Sequence, residues 1–262
     1  MASEVKTNKV SPSTGVTVTL GDASDVFQLP ASAEIDIASG ATLDVNGTID
    51  VTGATTTGFP SSGFNKYTVV AATDTTFALQ SGTTKLIIEV QASGGYAGNT
   101  DASVYRGGNG GGGAYARKLL STMVDTDTLN ITIGAVAAIA GSGNTTSVAS
   151  ASGTSFTTIT CVGGAGGVSG SGAWGSGGAG GTLPTTGDFN FAGGSGSNGQ
   201  DAISYMQSCG GSFYSLVNSR PVSAVTTGPP PLGYGGGGAT ANGASEAGGV
   251  GGAAVVIVWE FK

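Results

Sequence analysis

Gly163-Gly164-Ala165-Gly166-Gly167 opens a field that runs to Gly252 and in which twenty-nine of ninety residues are glycine. No conventional side-chain core can form from such a stretch. An earlier tract, Gly107-Gly108-Asn109-Gly110-Gly111-Gly112-Gly113, stands apart from it. Two β-like runs flank the field, Lys85-Leu86-Ile87-Ile88-Glu89-Val90-Gln91-Ala92 before it and Ala253-Ala254-Val255-Val256-Ile257-Val258-Trp259-Glu260-Phe261 after it. This order predicts a small β framework that carries the glycine field as an exposed insertion. The field is not collagen, because no strict every-third glycine runs through it. Glycine doublets and triplets spaced by Ala, Ser or Asn suit extended backbones with three residues per turn. Without Cβ atoms such backbones approach closely and hydrogen-bond in several directions. Their stability then depends on nearly complete backbone pairing.

Outward from the field, further strands are predicted at Lys66–Ala71, Thr75–Leu79, Asp127–Gly134, Thr145–Val148 and Phe156–Val162, from period-two alternation and turn residues. Ala114-Tyr115-Ala116-Arg117-Lys118-Leu119-Leu120 leads from the early tract to the third of these. No amphipathic helix of usable length is legible, although Gln200–Ser219 tolerates helix until Cys209-Gly210-Gly211. Near the start, Ile35-Asp36-Ile37, Leu43-Asp44-Val45 and Ile49-Asp50-Val51 each precede a turn that contains glycine. Units this short bury an apolar face only by stacking on neighbours. Three chains around one axis would supply them, and a hairpin packed on the rest of the chain is the plainer alternative. The Asp row reads as a solvated face rather than a calcium site. The expected fold is all-β: a short trimeric β shaft, then a β-sandwich-like domain with polyglycine, PPII-type loops. Residues 1–60 form the attachment and shaft segment, and residues 61–262 the glycine-rich domain.

The chain of 262 residues has 10% charged residues, a net charge of −7 and no histidine. The acidic balance is no footprint for nucleic acid or an anionic membrane surface. The absence of histidine removes the commonest general base and metal ligand. Cys161 and Cys209 form no CxxC, and two free thiols read more simply than one disulfide. The start Met-Ala-Ser-Glu has no apolar signal-peptide region, and no run is long enough to span a membrane. Gly108–Gly113 and Gly175–Gly180 match G-x-G-x-x-G, as chance dictates in such a composition, and no helix follows either. A triad cannot be built without histidine. Asp101, Asp125, Asp127, Asp188 and Asp201 read as scattered surface acids rather than a glycosidase pair. No catalytic residue, metal ligand or cofactor is expected.

Loops between glycine runs carry aromatics, and rigidly supported tips of this kind form binding surfaces for sugars or protein loops. The candidate binding residues are Tyr105, Arg106, Trp174, Phe189, Tyr205, Phe213, Tyr214, Arg220 and Tyr234, and Phe191 is a further loop aromatic. The plainer role for each aromatic is to cover the glycine layer.

Thr7–Gly21 and Ala41–Asp50 resemble the opening of tail-fibre-like proteins of marine and cyanobacterial phages. Gly82–Phe261 is similar to the glycine-rich domain that ends many phage fibres: a strand, a Gly tract, Gly113-Ala114-Tyr115, the Ile131-Thr132-Ile133-Gly134 strand, glycine loops and a last strand at Val255–Trp259. It is similar in kind to the receptor-binding adhesins of T-even-like phages. The resemblance implies a homotrimeric virion fibre, made in the host cytoplasm. Its N-terminal segment would attach to other tail or head proteins, and its distal loops would touch a host surface glycan or outer-membrane protein. It implies no residue-level site. The short shaft fits a short fibre, a distal tip or a head-mounted fibre. Two other readings are a structural virion component, such as a capsid decoration or head fibre, and a glycan depolymerase.

Overall fold

The computed structural model describes residues 63–101, 105–136, 141–200, 207–215, 219–220, 228, 230–241 and 245–262. The Ile35, Leu43 and Ile49 repeats and the expected shaft lie outside them. Two antiparallel sheets form a sandwich. The first contains β1 (Phe64–Val70), β3 (Lys85–Gln91), β4 (Tyr115–Leu120), β8 (Phe189–Phe191) and β11 (Val255–Phe261), in the order β1-β11-β3-β4-β8. The second contains β2 (Asp74–Ala78), β5 (Thr128–Thr132), β6 (Thr146–Ser152) and β7 (Ile159–Cys161), in the order β2-β5-β6-β7. A two-residue pair, β9 (Gln207–Ser208) and β10 (Ser219–Arg220), stands apart. No helix occurs among the described residues, and none there is long and apolar enough to cross a membrane.

Alternation along each strand sets what faces inward. Leu86, Ile88 and Val90 of β3 and Val256 and Val258 of β11 meet Leu129, Ile131, Val148 and Ile159 of the other sheet in one apolar core. Glu260 also faces inward, at the rim of that core. Its Oε2 accepts from the Gln80 N–H at 2.6 Å and the Thr83 hydroxyl at 2.9 Å, which ties the β2–β3 turn to the last strand. Cys161 and Cys209 are both buried and unpaired with each other.

The glycine-rich segments are no exposed insertion. They form an array of their own at one end of the sandwich, and the tract 107–113 lies at its centre. Successive N–H groups of that tract rotate through three neighbours. Gly108, Gly111 and Ala114 donate to Val168, Ala165 and Val162; Asn109 and Gly112 donate to Ser197 and Gly194; Gly110 and Gly113 donate to Gly238 and Gly235, all at 2.7–3.0 Å. The same neighbour recurs every third residue, which is the signature of a three-residue screw. Its carbonyls accept from three further segments: Gly98, Gly95 and Ala92 donate to Gly108, Gly111 and Ala114, Gly178 and Gly181 to Asn109 and Gly112, and Gly210 to Gly110. Six backbones thus surround one. An L side chain would collide in this packing: a Cβ on any glycine of the tract would lie 2.0–2.2 Å from a neighbouring backbone atom.

The single side chain inside the tract behaves like backbone. Asn109 is buried; its amide donates to the Ser197 hydroxyl at 2.8 Å, and its carbonyl accepts from the Thr240 N–H at 2.8 Å. Gln91 marks the change from sheet to array. Its Nε2 lies within 3.1 Å of the carbonyls of Ala92, Gly113 and Ala114, where the strand hydrogen-bond pattern ends.

Two elements correct the sequence reading. Tyr115–Leu120 is a full interior strand, and Phe189–Phe191 is an edge strand rather than a loop. Three residues are too few for alternation to be legible. Tertiary contacts define β8: Asp188 N–H donates to Arg117 O, and Asn190 closes the preceding turn through both Gly187 N–H and Gly187 O.

Candidate binding site

Chain direction divides the array into two ends. Segment 92–101 leaves β3 and 105–114 returns to β4, so Ala92 and Ala114 are near the sheet while Asp101 and Tyr105 are far from it. Nine residues at the rise of a three-residue helix place the far end about 28 Å from the strand end. Asp101, Tyr105, Ser245 and the segment 170–173 gather there.

Asp101 organises that end. Its Oδ1 accepts from the Tyr105 N–H at 3.1 Å, its Oδ2 from the Gly172 N–H at 3.2 Å, and its backbone carbonyl from the Ser245 N–H at 2.7 Å. One residue therefore ties together Tyr105, Gly172 and Ser245. Asn99 adds a fourth tie, with Oδ1 accepting from the Gly248 N–H at 3.0 Å. On this base the rings of Tyr105 and Trp174 meet edge to face at 5.4 Å between centroids, and Trp174 is exposed. Arg106 follows Tyr105 in sequence, is half-buried, and its carbonyl accepts from the Gly175 N–H at 2.9 Å. The far end thus presents an aromatic pair on segments tied together through Asp101 and Asn99. Such a surface can stack on a sugar face or receive an apolar loop without ordering itself first.

The near end is a second aromatic group on the outer face of the five-stranded sheet. Tyr115 stacks on Phe213 at 4.0 Å and 14°, with Phe189 and Tyr214 edge-on. Beneath them Glu89 is 9% exposed and receives three donors. The Tyr115 hydroxyl donates at 2.6 Å and the Tyr214 hydroxyl donates to the same oxygen, while Trp259 Nε1 donates to the other at 2.8 Å. Burial, with the Glu89 carboxylate second, pushes both phenols well above the ordinary tyrosine value. Both stay protonated as donors. This cage fixes the sheet face, with all its donors spent on one carboxylate.

The candidate residues therefore fall into two groups. Tyr105, Arg106 and Trp174 come together at the far end, while Phe189, Phe213, Tyr214 and Tyr234 lie at the near end. Tyr205 lies outside the described residues, and Arg220 is placed only as backbone in β10. Sequence reasoning did not single out Glu89, Tyr115, Trp259 or the organising role of Asp101. For Glu89 a signal was present, a lone acid at an outward position of an apolar strand. Among the described residues no group of three His, Cys, Asp or Glu could hold a metal. Against known proteins, the chain matches no family model and no curated sequence.

Proposed function

We propose that this chain is a non-catalytic phage virion fibre or fibre tip, and that the far end of its glycine array is the surface that recognises a host cell. The observation that carries this reading is the Tyr105–Trp174 pair, set on segments that Asp101 ties together, at the end of a backbone-bonded array. An array of this kind separates scaffold from contact surface. Hydrogen bonding between backbones holds the segments, so the turn residues carry little of the folding burden and are free to be chosen for binding. Aromatic tips on a rigid support suit a glycan or an outer-membrane protein loop. In a homotrimer, weak single contacts would combine into firm adsorption. The resemblance of Gly82–Phe261 to fibre-ending glycine domains points the same way.

The test is adsorption of labelled full-length protein to bacteria that support a virion carrying this chain, with competition against that virion. The expected result is saturable binding that blocks adsorption. The double variant Tyr105→Ala/Trp174→Ala should bind about tenfold or more weakly, the range for losing an aromatic anchor, with unchanged thermal stability. Adsorption that the double variant leaves intact would exclude the far end as the contact surface. Protein that neither adsorbs nor competes would remove the host-recognition reading altogether.

A further inference from the structure

Gly63, where the chain enters the sandwich, lies beside Lys262: its carbonyl accepts from the Lys262 N–H at 2.9 Å. From there β1 runs toward the glycine array and β11 runs back from it, paired antiparallel from Phe64↔Phe261 to Val70↔Val256. β1 is an edge strand, and β11 is its neighbour in the sheet. The other four strands of that sheet all meet the array at the end away from Gly63. β3 leaves through Ala92, β4 begins after Ala114, β8 leaves through Ala192 and β11 begins after Ala254. A pull that draws the array away from Gly63 therefore drags four strands one way and β1 the other. Within this sheet the load falls on the β1–β11 ladder, and it runs along the strands.

We propose that this ladder is a force-bearing clamp, which carries tension between the array and the chain that enters at Gly63. Hydrogen bonds of an antiparallel pair lie across the strands, so a force along the strands loads all of them together. Slipping by one residue would also exchange the two faces of β1 and take Val70 out of the core. Side chains resist the same motion. Phe64 and Tyr67 of β1 meet Trp259 and Phe261 of β11 ring to ring at 5.3–6.2 Å, so sliding parts each of these cross-strand contacts. This role accounts for exposed aromatics on an edge strand without an external occupant. At the base, the β2–β3 turn holds both strands. Asn65 Nδ2 donates to Thr83 Oγ1 at 3.1 Å, the Thr83 hydroxyl donates to Glu260 at 2.9 Å, and the Thr84 N–H donates to Phe261 O at 2.8 Å. The tension itself rests on the reading of the array as a surface that holds a host; the strength of the ladder along its own axis does not.

Single-molecule pulling on the full chain, with handles on introduced cysteines, tests this. Gly63→Cys/Val250→Cys loads the ladder along the strands, because Val250 is exposed on the segment that leads into β11. Gly63→Cys/Lys262→Cys peels the same two strands apart from their shared end. Nothing lies within 4 Å of a Cβ added at Gly63, and the native Cys161 and Cys209 are buried. Residues 1–62 stay outside both loaded paths. Peeling one residue pair lengthens the tether by about 6.6 Å, whereas sliding by one residue lengthens it by about 3.3 Å. The expected result is a first unfolding force at least about twofold higher for the Val250 pair at the same pulling speed, from that ratio of lengths at equal work. Phe64→Ala/Tyr67→Ala should lower this force, and Leu119→Ala, at a similarly exposed residue of the sheet away from the ladder, should not. Equal forces in the two directions would overturn the proposal, whether or not the aromatic variant folds. So would a folded aromatic variant that keeps the full force along the strands. A chain that resists the pull but fails to adsorb to bacteria would leave the clamp standing and remove only the host-recognition reading.

Discussion

Gly111→Ala is the sharpest test of the array, because the substitution adds one methyl and removes nothing. An added Cβ would lie 2.0 Å from the Ala179 carbonyl oxygen, 2.5 Å from its carbon and 3.0 Å from Gly178 O. Even the tightest tolerated contact, 3.0 Å, requires the segment around Ala179 to recede by 3.0 − 2.0 = 1.0 Å. Three bonds at 2.8 Å hold that segment: Gly178 N–H to Asn109 O, Gly181 N–H to Gly112 O, and Ala165 N–H to Ala179 O. Stretched by an ångström they leave the hydrogen-bonding range. Each buried group left unpaired costs about 1–3 kcal/mol, so the expected loss is about 3 kcal/mol at least. Alanine also stiffens the unfolded chain, which opposes this by only about 0.4–1 kcal/mol. For a domain near 200 residues the net effect lowers Tm by roughly 4 °C or more. Gly63→Ala is the control, since nothing lies within 4 Å of its added methyl. Thermal and urea unfolding of both variants decide the matter. A Gly111→Ala protein within about 1 kcal/mol of wild type would refute close backbone packing as the basis of this half of the fold.

Two predictions concern ionisation. The Tyr115 and Tyr214 phenols are raised in the folded state by burial and by Glu89. An unfolded tyrosine ionises near pH 10, so above that pH the unfolded chain binds fewer protons than the folded one, and stability falls as pH rises. Urea midpoints should therefore drop above about pH 10, and Tyr115→Phe/Tyr214→Phe should flatten that drop; an equal slope in the variant would show that the cage is not its source. Burial likewise pushes the Cys161 thiol up to about 12. Because the thiolate is the reactive form, peptide mapping after native alkylation should find Cys161 unmodified until the protein unfolds, and rapid native labelling would contradict its place in the core.

Much of the sandwich is legible in order. Lys85–Gln91 and Val255–Phe261 announce themselves because each apolar alternation is long enough to specify a buried face, and Thr128–Thr132 does so through its β-branched residues. The glycine content likewise dictates backbone-to-backbone packing, since no other contact is open to residues without side chains. What the sequence cannot carry is the pairing itself. Identical glycines hold no label for partner or register, so the central place of 107–113 comes only from which strands its neighbours connect. The same holds for the aromatics. Phe189 and Phe213 look like loop residues until β4 brings Tyr115 against both, and Tyr105 lies far from Trp174 in sequence until Asp101 ties Tyr105 to Gly172. Local composition determined the kind of interaction at each position, through periodicity and the missing Cβ. Long-range topology decided which residues would share a surface, because that depends on where each segment leaves and re-enters the sheet.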